Sequence, residues 1–154
     1  MNPIRRQLGL FNLAFALAAA SGAAAAAAPE AATPATAAAE ERTVYHVNDM
    51  ATAREVLVNI ANHLAAAPRS RIAVVANGRG IFMLVAGEKD RVGEYSTAIS
   101  ELATKGVRFV ACRNSMTQKQ ILPAALAPGV QIVPAGVAEL ARLQSAEHYA
   151  YIKP

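Results

Sequence analysis

The sequence predicts an α/β fold: a single three-layer domain in which a mostly parallel β-sheet of about four to six strands is flanked by helices. Three observations predict it. Strand-like and helix-like segments alternate from Thr43 onward, which is the pattern of parallel βαβ units. The strand segments are short, continuous apolar runs, as burial on both faces demands. Residues 43–154 number 112, enough for one compact core of this kind.

Each element has its own signal. Thr43–Val47 is a β-rich run closed by Asn48-Asp49, either of which can cap a helix. From Ala51 to Ala67, the residues Ala53, Val56, Leu57, Ile60, Ala61 and Leu64 recur at three and four and predict one apolar helix face, stopped by Pro68. Ile72–Ala76 is the second strand, followed by the turn Asn77-Gly78-Arg79-Gly80. Ile81–Ala86 fits either a short helix or an extra strand. After the charged loop Gly87–Gly93, Glu94–Lys105 reads as a helix with Tyr95, Ile99, Leu102 and Ala103 on one side. Gly106 stands where a glycine ends such a helix.

Val107–Ala111 is the third strand, with Cys112 next. Asn114–Leu122 predicts a short helix closed by Pro123, and Pro128-Gly129 a turn. Val130–Val133 is the fourth strand. Gly136–Glu147 is the last helix, with Val137, Leu140, Ala141 and Gln144 in register. Tyr149–Ile152 reads as a small closing strand, and no repeat of fixed period occurs.

The first 42 residues are of another kind. They hold 17 of the 37 alanines, so the overall 54% hydrophobic content overstates the core. Met1–Gln7 carries Arg5 and Arg6 without an acid, Leu8–Ala20 is apolar, and Ala23–Ala28 offers small-x-small cleavage registers. That order is the layout of a secretory signal peptide, read here as residues 1–28. An uncleaved anchor is the competing reading, disfavoured because alanine partitions poorly into lipid. The Sec route suits the segment, and Arg5-Arg6 faintly resembles a twin-arginine signal. Residues 29–42 are an Ala/Pro-rich stretch without apolar periodicity, read as a disordered linker. The expected mature domain is 43–154, in the periplasm or secreted, with no stable membrane insertion after cleavage.

Composition excludes a multidomain enzyme, a multi-span membrane protein and a disulfide-stapled miniprotein. The net charge of +4 comes from scattered Lys and Arg, and tryptophan is absent, which argues against a nucleic-acid partner. His46, His63 and His148 lie far apart and form no metal-spaced pair, so neither metal nor cofactor is predicted.

In open parallel sheets, ligands collect beyond the carboxyl ends of the strands. The unusual residues of this chain fall there: Asn48-Asp49, Asn77-Gly78-Arg79-Gly80, Cys112-Arg113-Asn114-Ser115 and Pro134-Ala135-Gly136. If the strands are parallel neighbours, the four exits form one rim. Cys112 is the candidate nucleophile, since free N–H groups of a following helix and the Arg113 charge favour its thiolate. Packing is the competing role, because free cysteines are often buried as small hydrophobes. Asn77, Gly78 and Gly80 are candidate anion binders, against the plainer reading of a tight turn. Asp49 reads foremost as a helix cap.

The segment VRFVACRNSMTQKQI, Val107–Ile121, resembles the active segment of the DsrE/DsrF-like sulfur-relay family, which includes TusD-like sulfurtransferase subunits. VQIVPAGVAELARLQ, Val130–Gln144, is similar to that family's last strand, small-residue turn and helix. YHVND and IAVVANGRGIFMLV look like its periplasmic members. The resemblance spans Thr43–Pro154 and implies a DsrE-like domain of flavodoxin-like topology that forms homo-oligomers, trimers or hexamers. It implies a persulfide on Cys112, passed to a partner thiol, in a sulfurtransferase-like reaction with a protein as sulfur donor or acceptor. Arg113, Asn114 and Ser115 are candidates to hold the anionic sulfur. The competing reading is a non-catalytic periplasmic module for small-ligand binding or partner docking, with Cys112 structural.

Overall fold

The structure is a computed structural model, described here for residues 40–154. The predicted signal peptide and the linker up to residue 39 lie outside the described residues. Five strands form one sheet: β1 Arg42–Val47, β2 Arg71–Ala76, β3 Arg108–Cys112, β4 Gln131–Val133 and β5 Ala150–Ile152. Every pairing is parallel, and the strand order is β4-β3-β2-β1-β5. That order differs from the 2-1-3-4-5 of flavodoxin, although both sheets are doubly wound. Four helices complete the unit: α1 Ala53–Ala66, α2 Tyr95–Thr104, α3 Arg113–Gln118 and α4 Gly136–Glu147. Among the described residues no helix is long and apolar enough to cross a membrane.

The two sheet faces are covered unequally. Tyr45, Val74 and Phe109 face α1, α2 and the 3₁₀ helix Gly78–Leu84 in the larger core, where Ile60, Ile81 and Ile99 are buried. Each such side chain contributes roughly 1.5–3 kcal/mol over an exposed one. Val44, Ala73, Val75 and Val110 point the other way, onto Leu140 and Leu143 of α4. This is the strict alternation of a strand, with two apolar faces where the sequence shows a continuous run.

Local chemistry ends the elements as the sequence implies. Asp49 accepts the Ala51 N–H at 2.9 Å and caps a 3₁₀ turn, Met50–Thr52, ahead of α1. After α2, Gly106 takes φ +89°. Its N–H bonds the Ala103 carbonyl, and Val107 N–H bonds the Leu102 carbonyl. That pair of bonds is a Schellman stop.

Several details differ from the sequence reading. Ile81–Ala86 contains no added strand, because the 3₁₀ helix takes its first residues. α3 begins one residue early, at Arg113, and ends at Gln118. Ala61 and Ala103 are exposed. The buried side of α4 is Gly136, Glu139, Leu140 and Leu143, while Val137, Ala141 and Gln144 face solvent. The helix is thus turned by about one residue from the predicted stripe. It is held there by Arg108 and Arg142, which bond the Glu139 carboxylate at 3.3 and 2.8 Å and make its burial tolerable. β1 also starts one residue earlier than expected, at Arg42.

Candidate functional site

Because all five strands are parallel, their carboxyl ends share one edge, and the four exits named from the sequence meet there. They line a cleft of about 340 Å³. β1 contributes Asn48, and β2 contributes Asn77 and Gly78. β3 and α3 supply Cys112, Asn114, Ser115 and Gln118, and the start of α4 supplies Ala135, Gly136 and Val137. Among the described residues no charged side chain lines the cleft. Its polar side chains are four carboxamides, one hydroxyl and the thiol.

Cys112 closes β3 and is the residue from which α3 starts. It is only 5% exposed, so the cleft is its route to solvent. Burial alone pushes the thiol upward. The nearby Gly136 N–H, the Ser115 hydroxyl and the Ser115 and Asn114 N–H groups favour the thiolate, outweigh burial and leave the thiol below its ordinary value. The amino ends of α3 and α4 therefore converge on one sulfur, and their unpaired N–H groups favour the thiolate.

Close backbone approach makes this possible. A Cβ at Gly136 would stand 3.1 Å from the Cys112 Cβ and 3.3 Å from the Asn77 Cβ. Glycine there lets α4 lie directly on the strand ends. Gly78 has φ +53° and donates its N–H to Ser115 Oγ at 2.9 Å, which ties the β2 exit to α3.

The predicted residues divide. Cys112, Asn114, Ser115, Asn77 and Gly78 come together in the cleft. Gly80 does not: it is buried against β1, where a Cβ would fall 2.3 Å from the Val47 carbonyl oxygen. The Asn77, Gly78 and Arg79 N–H groups of the turn are not free for an anion either. Asn77 and Arg79 donate to the Val47 and Asn48 carbonyls, and Gly78 to Ser115. This segment is a strand-to-strand clamp, and Asn77 is its one polar side chain in the cleft lining. Arg113 is exposed and outside the lining, so the groups that lower the Cys112 thiol are dipoles and not this charge.

Three contributions escape a sequence reading. The Gly136 N–H reaches the sulfur from a position 24 residues away along the chain. Gln118 lines the cleft one turn after Asn114, a helical spacing that could have signalled it. His46 bonds Asn77 from β1. His63, in contrast, bridges Tyr45 and Glu41 at the far side of α1, and His148 is the left-handed residue that ends α4. No group of three or more His, Cys, Asp or Glu among the described residues could hold a metal ion.

Comparison with known proteins follows the same outline. The model of the DsrE/DsrF-like family matches residues 11–154. Among solved structures, MTH1491 of Methanobacterium thermoautotrophicum, a protein of unknown function, is 34% identical. It covers 75% of this chain and 100% of its own length, at TM-score 0.67. The ychN protein of E. coli, at 13% identity and TM-score 0.63, covers 75% of this chain and 99% of its own. The latter likeness is one of fold alone. No curated protein matches the chain.

Proposed function

The chain belongs to the DsrE/DsrF-like family, and from that premise we propose that it carries sulfane sulfur as a persulfide on Cys112 and hands it to a partner thiol. Family membership suggests chemistry of the sulfur-relay type. The observation that carries the finer reading is a single thiol in the strand-end cleft, at the start of α3 and with Gly136 of α4 packed against it, whose surroundings favour the thiolate.

In the first step the Cys112 thiolate attacks the outer sulfur of a polysulfide or persulfide donor. A Cys112 S–S bond forms, the donor's S–S bond breaks, and the donor's remaining thiolate leaves with the electron pair. In the second step an acceptor thiolate attacks the outer sulfur, the Cys112 S–S bond breaks, and the Cys112 thiolate departs with its electrons. No net oxidant is needed. A thiol of lowered pKa serves both steps, being ionised for attack and a good leaving group on transfer. The uncharged donors of the cleft suit a soft, weakly hydrated sulfur anion, which needs orientation more than charge neutralisation.

Intact mass after incubation with polysulfide tests the reading. Cys112 gains about 32 Da per sulfur, and the Cys112→Ala chain gains none. An equal gain in both chains, or no gain in either, overturns it. The same reading makes the working form a homo-oligomer, a trimer or hexamer, in the periplasm or outside the cell. Fractionation with N-terminal sequencing of the mature chain and sedimentation test those two points.

A further inference from the structure

Both ring nitrogens of His46 are engaged, and the contacts lead from β5 to the cleft. Nδ1 lies 2.6 Å from the Tyr151 hydroxyl, and Nε2 lies 3.0 Å from Asn77 Oδ1. The two aromatic rings are 5.8 Å apart. Register explains the meeting: Tyr151 stands beside Val44, two residues before His46, so both side chains fall on the same sheet face.

The chemistry of the acceptor sets the direction of the chain. An amide oxygen can only accept, so Nε2 carries a proton, and in the neutral ring Nδ1 is then the acceptor. Tyr151 therefore donates to His46, and His46 donates to Asn77. With its oxygen committed to the ring, Asn77 has its amide nitrogen left, and Asn77 lines the cleft that holds Cys112. That amide is not among the groups that lower the Cys112 thiol most.

We infer that Asn77 donates its side-chain N–H to the anion that approaches Cys112, and that His46 and Tyr151 are positioning residues that hold the amide in the donating orientation. The identity of that anion, a persulfide or polysulfide, rests on the sulfur-carrier reading. The geometry does not, since any small anion bound for Cys112 meets the same amide. The relation also gives a use to β5, a three-residue strand with every residue exposed.

The test compares alkylation of Cys112 by anionic iodoacetate and neutral iodoacetamide in the full chain, with the thiol pKa measured alongside. In Asn77→Ala and His46→Leu the iodoacetate-to-iodoacetamide rate ratio falls about fivefold, the size of one lost hydrogen bond, while the thiol pKa stays put. His46→Gln restores the ratio, because its amide donates to Asn77 and its oxygen accepts from Tyr151. If His46→Leu does not fold, Tyr151→Phe decides on its exposed strand, with a fall of about twofold. A ratio unmoved in the folded variants overturns the inference, and so does a thiol pKa that shifts with it. A wild-type chain that takes no sulfur from polysulfide refutes the sulfur-carrier reading, while the alkylation ratios still decide the positioning role.

Discussion

Ser115 Oγ accepts the Gly78 N–H at 2.9 Å, and the same hydroxyl helps to hold the Cys112 thiol below its ordinary value. One buried hydroxyl thus fastens the β2 exit to α3 and stabilises the thiolate. Asn114 serves the same sulfur only through its backbone.

Ser115→Ala therefore raises the thiol pKa, and Asn114→Ala leaves it unchanged. Ser115→Ala also strands the Gly78 N–H, at a cost of about 1–3 kcal/mol. Thiolate absorbance against pH, with a denaturant melt of each variant, checks both numbers. Equal pKa values in the two variants contradict the assignment of the hydroxyl.

Gly136→Ala separates chemistry from stability. Its Cβ would press on the Cys112 and Asn77 Cβ atoms at 3.1 and 3.3 Å, so α4 shifts outward by a few tenths of an ångström and weakens the Gly136 N–H contact to sulfur. The expected outcome is a higher thiol pKa with a loss of only about 1 kcal/mol in stability.

Gly80→Ala does the reverse. Its Cβ would collide with the Val47 carbonyl, backbone against backbone, so the β1–β2 clamp must open at a cost of about 3 kcal/mol or more. Gly87→Ala, with φ +82° and no neighbour within 4 Å, costs only about 1 kcal/mol. Denaturant midpoints of the two variants rank them, and similar midpoints refute the clamp.

Glu139 gives the fold an acid-sensitive strut. The Arg142 hydrogen bond lowers its pKa most, burial opposes this, and the charges of Arg142 and Arg108 add to the lowering. A depressed folded value means that this stabilisation is complete above the unfolded value of about 4.3 and is lost as pH falls through the folded one. Glu139→Gln should be less stable than wild type by about 1–2 kcal/mol at neutral pH, with the gap closing in acid. A gap that is constant with pH excludes the ion pair as its cause.

The parts of this fold legible in the sequence are those set by near neighbours. Val74 and Val110 sit in apolar runs, Gly106 follows an apolar helix face, and Asp49 precedes a helix, so each carries its signal within a few residues. Cys112 is legible as a strand-end thiol for the same reason, and a parallel sheet brings its exit beside the other three. The phase of α4 is not legible. Alanines at 138 and 141 bury little surface, and Glu139 is held inside by Arg108, a partner 31 residues away on strand β3. The Tyr151–His46–Asn77 chain joins β5, β1 and the exit of β2, with His46 and Tyr151 105 positions apart, and no local pattern announces it. Gly80 reads as one more turn glycine until the Val47 carbonyl is seen against it.

The pH dependence of Cys112 alkylation, native chain against unfolded chain, tests the central claim most directly. The expected result is a folded thiol that reacts without unfolding, with its half-maximal rate at a lower pH than in the unfolded chain. A folded thiol that reacts only at the rate of global unfolding, or whose midpoint lies above the unfolded one, contradicts it.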